Sequence, residues 1–464
     1  MNNQSIKIKK SVKYLGIWFD FRLSWDEQIK YIAKCTSLIF HAFSQIARKT
    51  WGLSTDAISI IYDHIYIPIV TYGCCSWGAA VNKVHLRRKL ISSQRKALLL
   101  ITKAYRTAPN SSLQVIARKP PITEVIKLEC DLWNLRLGTD IITSTHHFQA
   151  NKYEHPSPSN DSIPPYITNY IGTTSLPHPN LEIYTDGSGL NDGVGCAFIT
   201  YQSETEIYSQ MNRLDCVYSV FQVELMAINL AISWTEENYN HNNIHIISDS
   251  ASAIQLIQGN KPHPIATAIR NTIFNSSNKY NITWTRAHHG TTGNERADQL
   301  AKEAASNNNL EIIYDKISHH GVRKHMFQDL LNRWQTTWSQ KHNNTAFKYI
   351  PNIIDYYSYH WVTPNHQLTQ FITDHDKFSR YLHRFTNKNL PLCAICCKPN
   401  NSDHYLFDCI SLEAEHLAIE LAAGSRNIHW PCEHNDLLKN KELYEAFSNL
   451  IKRHEAIAPL VTRD

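Results

Sequence analysis

Leu181-Glu-Ile-Tyr-Thr-Asp-Gly-Ser188 is the stretch that decides the fold. Leu181 to Asp186 carries a short strand pattern that closes on an aspartate. Val194 to Tyr201 and Ile207 to Met211 carry two more strand patterns directly after it. From about Val220 to Glu236 the pattern changes to helical spacing, with Val223, Ala227, Leu230, Ala231 and Trp234 on one face. Strand Ile244 to Ser248, helix Ser250 to Gln258, helix Ile265 to Asn278, strand Asn281 to Arg286 and helix Glu295 to Ala305 complete the series. Three strands in succession, followed by alternating helices and strands, predict a mixed five-stranded α/β sheet with flanking helices.

Four carboxylates fall where this arrangement gathers side chains at one end of the sheet. Asp186 ends the first strand pattern. Glu224, in Phe221-Gln-Val-Glu-Leu225, lies early in the first helix. Asp249, in Ile247-Ser-Asp-Ser250, ends the fourth strand. Asp298, in Gly293-Asn-Glu-Arg-Ala-Asp298, lies in the first turns of the last helix. Neighbouring strands run only about 5 Å apart, so Asp186 and Asp249 can face one another. Carboxylates held this close repel, and a divalent cation relieves the repulsion. Any one of these residues alone reads as a turn, a helix cap or a favourable charge at a helix N-terminus. The ordered set is what carries chemistry.

Tyr184-Thr-Asp-Gly-Ser188, Phe221-Gln-Val-Glu-Leu225, Ser248-Asp-Ser250 and His288-His-Gly-Thr-Thr-Gly-Asn-Glu-Arg-Ala-Asp298 resemble the successive motifs of the ribonuclease H family over about 125 residues. The resemblance implies that Asp186, Glu224, Asp249 and Asp298 bind two Mg²⁺ or Mn²⁺ ions. It also implies that His288 is the mobile histidine serving proton transfer or product release. Adjacent His289 is the less well spaced alternative. The substrate implied is an RNA/DNA hybrid whose RNA is cut to a 5′-phosphate and a 3′-hydroxyl. Gly187, Ser188 and Ser250 are candidates to read the RNA 2′-hydroxyl. One position and one stretch depart from the pattern. Ala287 replaces the usual glycine before the histidine, and the stretch from Asp249 to Trp284 lacks a basic handle.

Around this centre the 464 residues divide into a mostly helical block over 1–138, a Pro-, Ser- and Asn-rich linker over 139–180, the α/β domain over 181–306, and a helical region over 317–464. Nineteen Lys and Arg face five Asp and Glu between Met1 and Pro120. The whole chain carries only +5, so the remainder is net acidic. A basic end of this kind suggests a polyanion partner. Helix Lys83 to Tyr105 presents Lys83, Arg87, Arg88, Arg95 and Lys96 beside an apolar stripe, and these five are candidates for nucleic-acid contact. Lys13-Tyr-Leu-Gly-Ile-Trp-Phe-Asp20 and Tyr72-Gly-Cys-Cys-Ser-Trp-Gly78 resemble the end of a reverse transcriptase from a non-LTR (LINE-type) retrotransposon, reaching the thumb and its neighbouring helices. The chain holds no Asp-Asp pair for polymerase metals. It is therefore expected to lack polymerase activity of its own, the palm and its preceding segments being expected to be missing.

Cys393-Ala-Ile-Cys396, His404 and Cys409 are spaced C-x2-C-x7-H-x4-C, which suits one structural Zn²⁺; Cys397 can replace Cys396 in that set. The context is similar to the C-terminal Cys/His cluster of the same retrotransposon polyproteins. Eleven cysteines without a secretion signal point to a reduced, intracellular setting in nucleus or cytoplasm. The apolar run Ile65 to Val81 is broken by Pro68, Gly73 and Gly78 and reads as core, so no membrane partner and no small-molecule cofactor are expected. Besides an active nuclease, two readings compete: a non-catalytic nucleic-acid-binding remnant, and a decayed element whose product folds poorly.

Overall fold

The computed structural model describes residues 9–47, 52–158, 163–164, 167, 170–176, 178–190, 193–214, 218–286, 292–375, 378–386 and 391–461. Two compact units emerge, one formed by residues 132–327 and the other by residues 1–131 together with 328–464.

The first unit contains the expected sheet. Its strands are β1 (Leu181–Leu190), β2 (Gly193–Gln202), β3 (Thr205–Leu214), β4 (Asn243–Ser248) and β5 (Lys279–Trp284). Its main helices are α1 (Val220–Asn238), α2 (Ala251–Gln258), α3 (Pro264–Asn275) and α4 (Thr292–Ser306). The spatial order is β3-β2-β1-β4-β5. β1, β2 and β3 pair antiparallel, whereas β4 joins β1, and β5 joins β4, in parallel. Tight turns suffice for the antiparallel strands, and helices make the longer crossovers that parallel pairing requires. β4, between β1 and β5, is buried from Ile244 to Ser248, as expected for a parallel strand covered on both faces.

Helix α1 starts where its sequence directs. The Ser219 hydroxyl accepts from the Gln222 amide at 3.3 Å, and the Gln222 side chain reaches back to the Ser219 amide, forming a capping box. Helix α4 lies close against β2 because its inner face is Ala297, Ala301, Ala304 and Ala305, all buried. A Cβ on Gly195 would stand 2.3 Å from the Ala305 nitrogen and 2.5 Å from the Ala301 oxygen, so glycine is what admits the helix backbone.

The flanks differ from the sequence reading. Within the expected linker over 139–180, two residues pair with backbone elsewhere in the unit. Tyr153 bridges Ile317, and Gly172 adds to the outer edge of β5 through Gly172 N–H to Tyr280 O (2.8 Å) and Ile282 N–H to Gly172 O (2.9 Å). Proline-rich composition marks an irregular path, but a single N–H and C=O suffices to pair with an open strand edge.

The two chain ends, read from sequence as separate blocks, share one unit. Val115 and Ile116 belong to the same core as Trp334, Tyr349, Phe371 and Phe447. The Arg118 guanidinium donates to the carbonyls of Tyr356 (3.0 Å), Tyr359 (2.8 Å) and Val362 (3.1 Å). Among the described residues no single helix is long and apolar enough to cross a membrane. The bent pair Thr55–Thr71 and Cys74–Asn82 passes only as a pair, and its Tyr62, Tyr66, Val70 and Trp77 are buried in a core.

Candidate active site

The register of the sheet brings the first carboxylates together. Parallel pairing of β1 with β4 ends at Thr185 opposite Ser248. Asp186 and Asp249 are each the next residue. Asp186 does not end β1, as the sequence suggested; the strand runs on to Leu190, held by β2, with Asp186 opposite Ala197. The aspartate thus sits on a strand fixed on one side and open on the other. Glu224 arrives from α1. Here β1 and the helix backbone nearly touch, since a Cβ on Gly187 would lie 2.8 Å from the Glu224 nitrogen.

Asp186, Glu224 and Asp249 each place a carboxylate oxygen within 4.8 Å of the other two. Asp186 and Glu224 are 5 % and 7 % exposed, so water does little to separate their charges. Burial, then the charges of Asp249 and Asp298, push the Asp186 carboxyl up to about 7. Burial, then the charges of Asp186 and Asp249, push Glu224 up to about 9. The Gly187 amide eases both in the opposite direction, and Lys302 does so for Asp186. The Glu224 Oε2 atom is buried with no hydrogen-bond partner. A compact, mutually repelling set of oxygen donors with one unsatisfied atom is what a hard divalent cation fits.

Asp298 stands beside this trio rather than within it. Its carboxylate pairs with Lys302, one turn along α4, at 2.6 Å. Lys302 and Trp284 were not singled out from sequence. The i,i+4 spacing of Lys302 from Asp298 was the available signal. Trp284, at the end of β5, donates its indole N–H to the Asp249 carbonyl at 2.9 Å and so holds the backbone of that residue. Ser250, not Asp249, is the N-cap of α2, and its side chain makes no cap bond.

Residues 178–306 match the ribonuclease H family model. The chain carries a ribonuclease H domain. This meets the expectation drawn from the motifs. The chain is 29 % identical over 140 residues to a retrovirus-related Pol polyprotein from type-1 retrotransposable element R1 4 of Nasonia vitripennis. That match covers 30 % of the chain and 35 % of the relative. It is 30 % identical over 129 residues to a putative 115 kDa protein in type-1 retrotransposable element R1DM of Drosophila melanogaster, covering 28 % of the chain and 13 % of the relative. The chain thus spans about a third or less of these two relatives. Among solved structures, RNase H1 of Halobacterium salinarum aligns with 17 % identity and a TM-score of 0.24, covering 27 % of the chain and 96 % of that protein. A foamy viral protease-reverse transcriptase solved with dsDNA aligns with 20 % identity and a TM-score of 0.25, covering 28 % and 99 %.

Within the ribonuclease H domain, Gly187 is buried, and Ser188 and Ser250 are half-buried. His288 and His289 lie outside the described residues. Outside the domain, the basic helix Val84–Thr102 leaves Arg87 and Arg88 exposed. Three of the five candidate contacts there have partners of their own. Lys83 reaches the Ser24 carbonyl at 3.2 Å, and Lys96 reaches the Ser37 hydroxyl at 2.6 Å. Arg95 binds the Arg106 carbonyl and Asn110.

The Cys/His spacing closes into a cluster. Cys393, Cys396, His404 and Cys409 place one donor atom each within 4.8 Å of one another. Cys396 Sγ lies 3.8 Å from Cys409 Sγ, whereas Cys397 is exposed at the left-handed position (φ 54°) of the turn. Of the two neighbouring thiols, Cys396 is the one that joins the other three donor atoms. Both ring nitrogens of His404 are buried without a hydrogen-bond partner, and burial holds its pKa below the usual histidine range. A neutral imidazole with orphaned nitrogens beside three sulfurs fits a tetrahedral metal.

Proposed function

We propose that this protein is an endoribonuclease that hydrolyses the RNA strand of RNA/DNA hybrids, acting as part of a retrotransposon polyprotein. The observation that carries the reading is the convergence of Asp186, Glu224 and Asp249 at one point of a ribonuclease H sheet. In this reading Asp186, Glu224, Asp249 and Asp298 hold two Mg²⁺ or Mn²⁺ ions. Bound there, such ions would supply activation of a water nucleophile and stabilisation of the leaving 3′ oxygen.

The chain's own residues prepare the site. Sheet register fixes Asp186 against Asp249, and the close contact at Gly187 fixes Glu224. Trp284 holds the Asp249 main chain. Lys302 neutralises Asp298 and faces Asp186, so that side of the cluster is balanced before any cation arrives. His288 assists proton transfer or product release, and Gly187, Ser188 and Ser250 contact the RNA 2′-hydroxyls. Arg87 and Arg88 contribute phosphate contacts from the basic helix. In the other unit, Cys393, Cys396, His404 and Cys409 hold one Zn²⁺ that braces the fold. An intracellular site of action belongs to the same proposal, supported by ten described cysteines that are all free thiols.

The test compares the full chain with its Asp186→Asn variant on an RNA/DNA hybrid, single-stranded RNA and double-stranded RNA, with Mg²⁺ or Mn²⁺ and with EDTA. The wild type is expected to cut only the RNA of the hybrid, and only with metal. The variant is expected to be at least about a hundredfold slower, the cost of losing a core metal ligand. A folded wild type that binds the hybrid without cutting it would instead establish a non-catalytic binding module.

A further inference from the structure

The unit formed by residues 1–131 and 328–464 contains a cavity of about 1030 Å³ to which the nuclease chemistry assigns no role. Leu99, Leu100 and Leu382 are among its apolar lining, with the buried Phe40 behind them. Lys96, Lys103, Arg106 and His41 also line it, together with Tyr105 and Tyr381, and no lining residue is acidic. This space is a groove open to solvent on one side, with the dimensions of a ligand site.

The cationic rim is braced. The Lys103 carbonyl bonds to the His366 imidazole at 2.7 Å. The Tyr105 ring meets the same imidazole edge-on at 5.6 Å. Arg95 grips the Arg106 carbonyl. Tyr381 donates its hydroxyl to Thr107 Oγ1 at 2.5 Å. Four separate contacts thus hold 103–107, a short run that carries two cations and an aromatic ring. Arg95, which sequence placed among the nucleic-acid contacts, is a brace for this rim.

We propose that this groove binds an unpaired nucleic-acid strand, with base faces against the apolar floor and Tyr105 and with phosphates on Lys103 and Arg106. The charge of the lining selects a polyanion. The apolar floor selects the form of that polyanion. A duplex keeps its base faces stacked inside and offers only phosphate and sugar, whereas a single strand exposes aromatic faces for burial and stacking. An acidic peptide would satisfy the rim but would bring fewer flat apolar faces to the floor.

The test is fluorescence anisotropy on the full chain in EDTA, with a labelled single-stranded DNA 12-mer, the same sequence as a duplex, and a labelled acidic peptide. EDTA stops cleavage, so the result stands apart from the nuclease reading. The single strand is expected to bind tightest. Lys103→Glu and Tyr105→Ala are each expected to weaken it about tenfold or more, in line with the loss of one base-stacking or phosphate contact. Lys452→Glu, an exposed charge reversal elsewhere in the same unit, is expected to change binding less than twofold. Melting temperatures of all variants check folding. Equal binding by wild type, Lys103→Glu and Tyr105→Ala would overturn the proposal. So would tighter binding of the duplex or of the acidic peptide.

Discussion

Asp186 and Glu224 are the two most deeply buried carboxylates of the cluster. In the folded domain their carboxyls sit at about 7 and about 9, well above the ordinary carboxylate values. An unfolded chain releases those protons near pH 4, whereas the folded chain keeps them. Their stabilising contribution is therefore complete below about pH 4 and is lost as pH rises through the two folded values. In EDTA, the melting temperature of the domain should fall between pH 5 and pH 9. Mg²⁺ should restore more of it at pH 8 than at pH 5, because deprotonated carboxylates bind the cation. Asp186→Asn should flatten the slope, since it removes one buried charge from the repelling set. A melting temperature equally pH-dependent in wild type and variant would count against this electrostatic picture. At this scale the sequence was informative because the carboxylates sit inside motifs whose order is distinctive. Lys302 and Trp284 were not legible in the same way. A lysine one turn from an aspartate and a tryptophan at a strand end are common on ordinary surfaces.

At the scale of elements, the close approach of α4 to β2 is a sharp constraint. The atoms that a Cβ on Gly195 would meet are helix backbone and the Ala304 methyl, none of which can swing aside. Gly195→Ala should therefore cost about 2 kcal/mol or more of stability, as measured by urea unfolding, through overpacking. The same substitution at Gly138, whose added Cβ would meet nothing within 4 Å, is strained by its positive φ (98°) but not by contact. The elements themselves were readable from sequence because their periods are clean. Their ends were not. The pattern starting at Glu295 begins at Thr292 in the structure, and that starting at Asn281 begins at Lys279. Polar residues at an element's first turn carry no periodic signal, and backbone pairing decides the boundary.

A second prediction at this scale concerns Glu154, on the segment preceding the domain. Its buried carboxylate accepts from Tyr314 Oη at 2.6 Å and from the Gln222 side chain at 3.2 Å, and lies 3.8 Å from His263. One residue thus ties the segment before the sheet, the segment after it and the cap of α1. Glu154→Ala should destabilise the unit by about 1–3 kcal/mol, the usual penalty for stranding buried partners. Glu154→Gln should recover part of that loss, because the amide oxygen still accepts. Equal unfolding midpoints for wild type and Glu154→Ala would show the clamp to be dispensable.

For the whole molecule, the largest departure from the sequence reading is that the two chain ends make one unit. Nothing in either end announces its partner. The joining residues, Val115, Ile116 and Arg118, look locally like an ordinary helix end followed by a basic turn. Their meaning comes from carbonyls more than two hundred residues away. Local pattern reports which face is apolar but not what covers it. The Cys/His cluster lies in this unit. Prolonged chelation, or His404→Ala, should lower the melting temperature of that unit while leaving the unfolding of the ribonuclease H unit unchanged. Scanning calorimetry that resolves two transitions would read both, and a shift in neither would mean that the cluster holds no stabilising metal.

The central claim is that the carboxylate cluster of Asp186, Glu224, Asp249 and Asp298 is a divalent-cation site. Calorimetric titration of Mn²⁺ into the full chain at pH 7.5, beside the Glu224→Gln variant, tests it most directly. Saturable binding to the wild type with proton release is expected, because Glu224, pushed up to about 9, holds its proton at pH 7.5 and must give it up to bind, whereas Asp186, at about 7, is already mostly ionised. Affinity is expected to be at least about tenfold weaker in the variant. Mn²⁺ binding that is absent at millimolar concentration, or equally strong in Glu224→Gln, would contradict it.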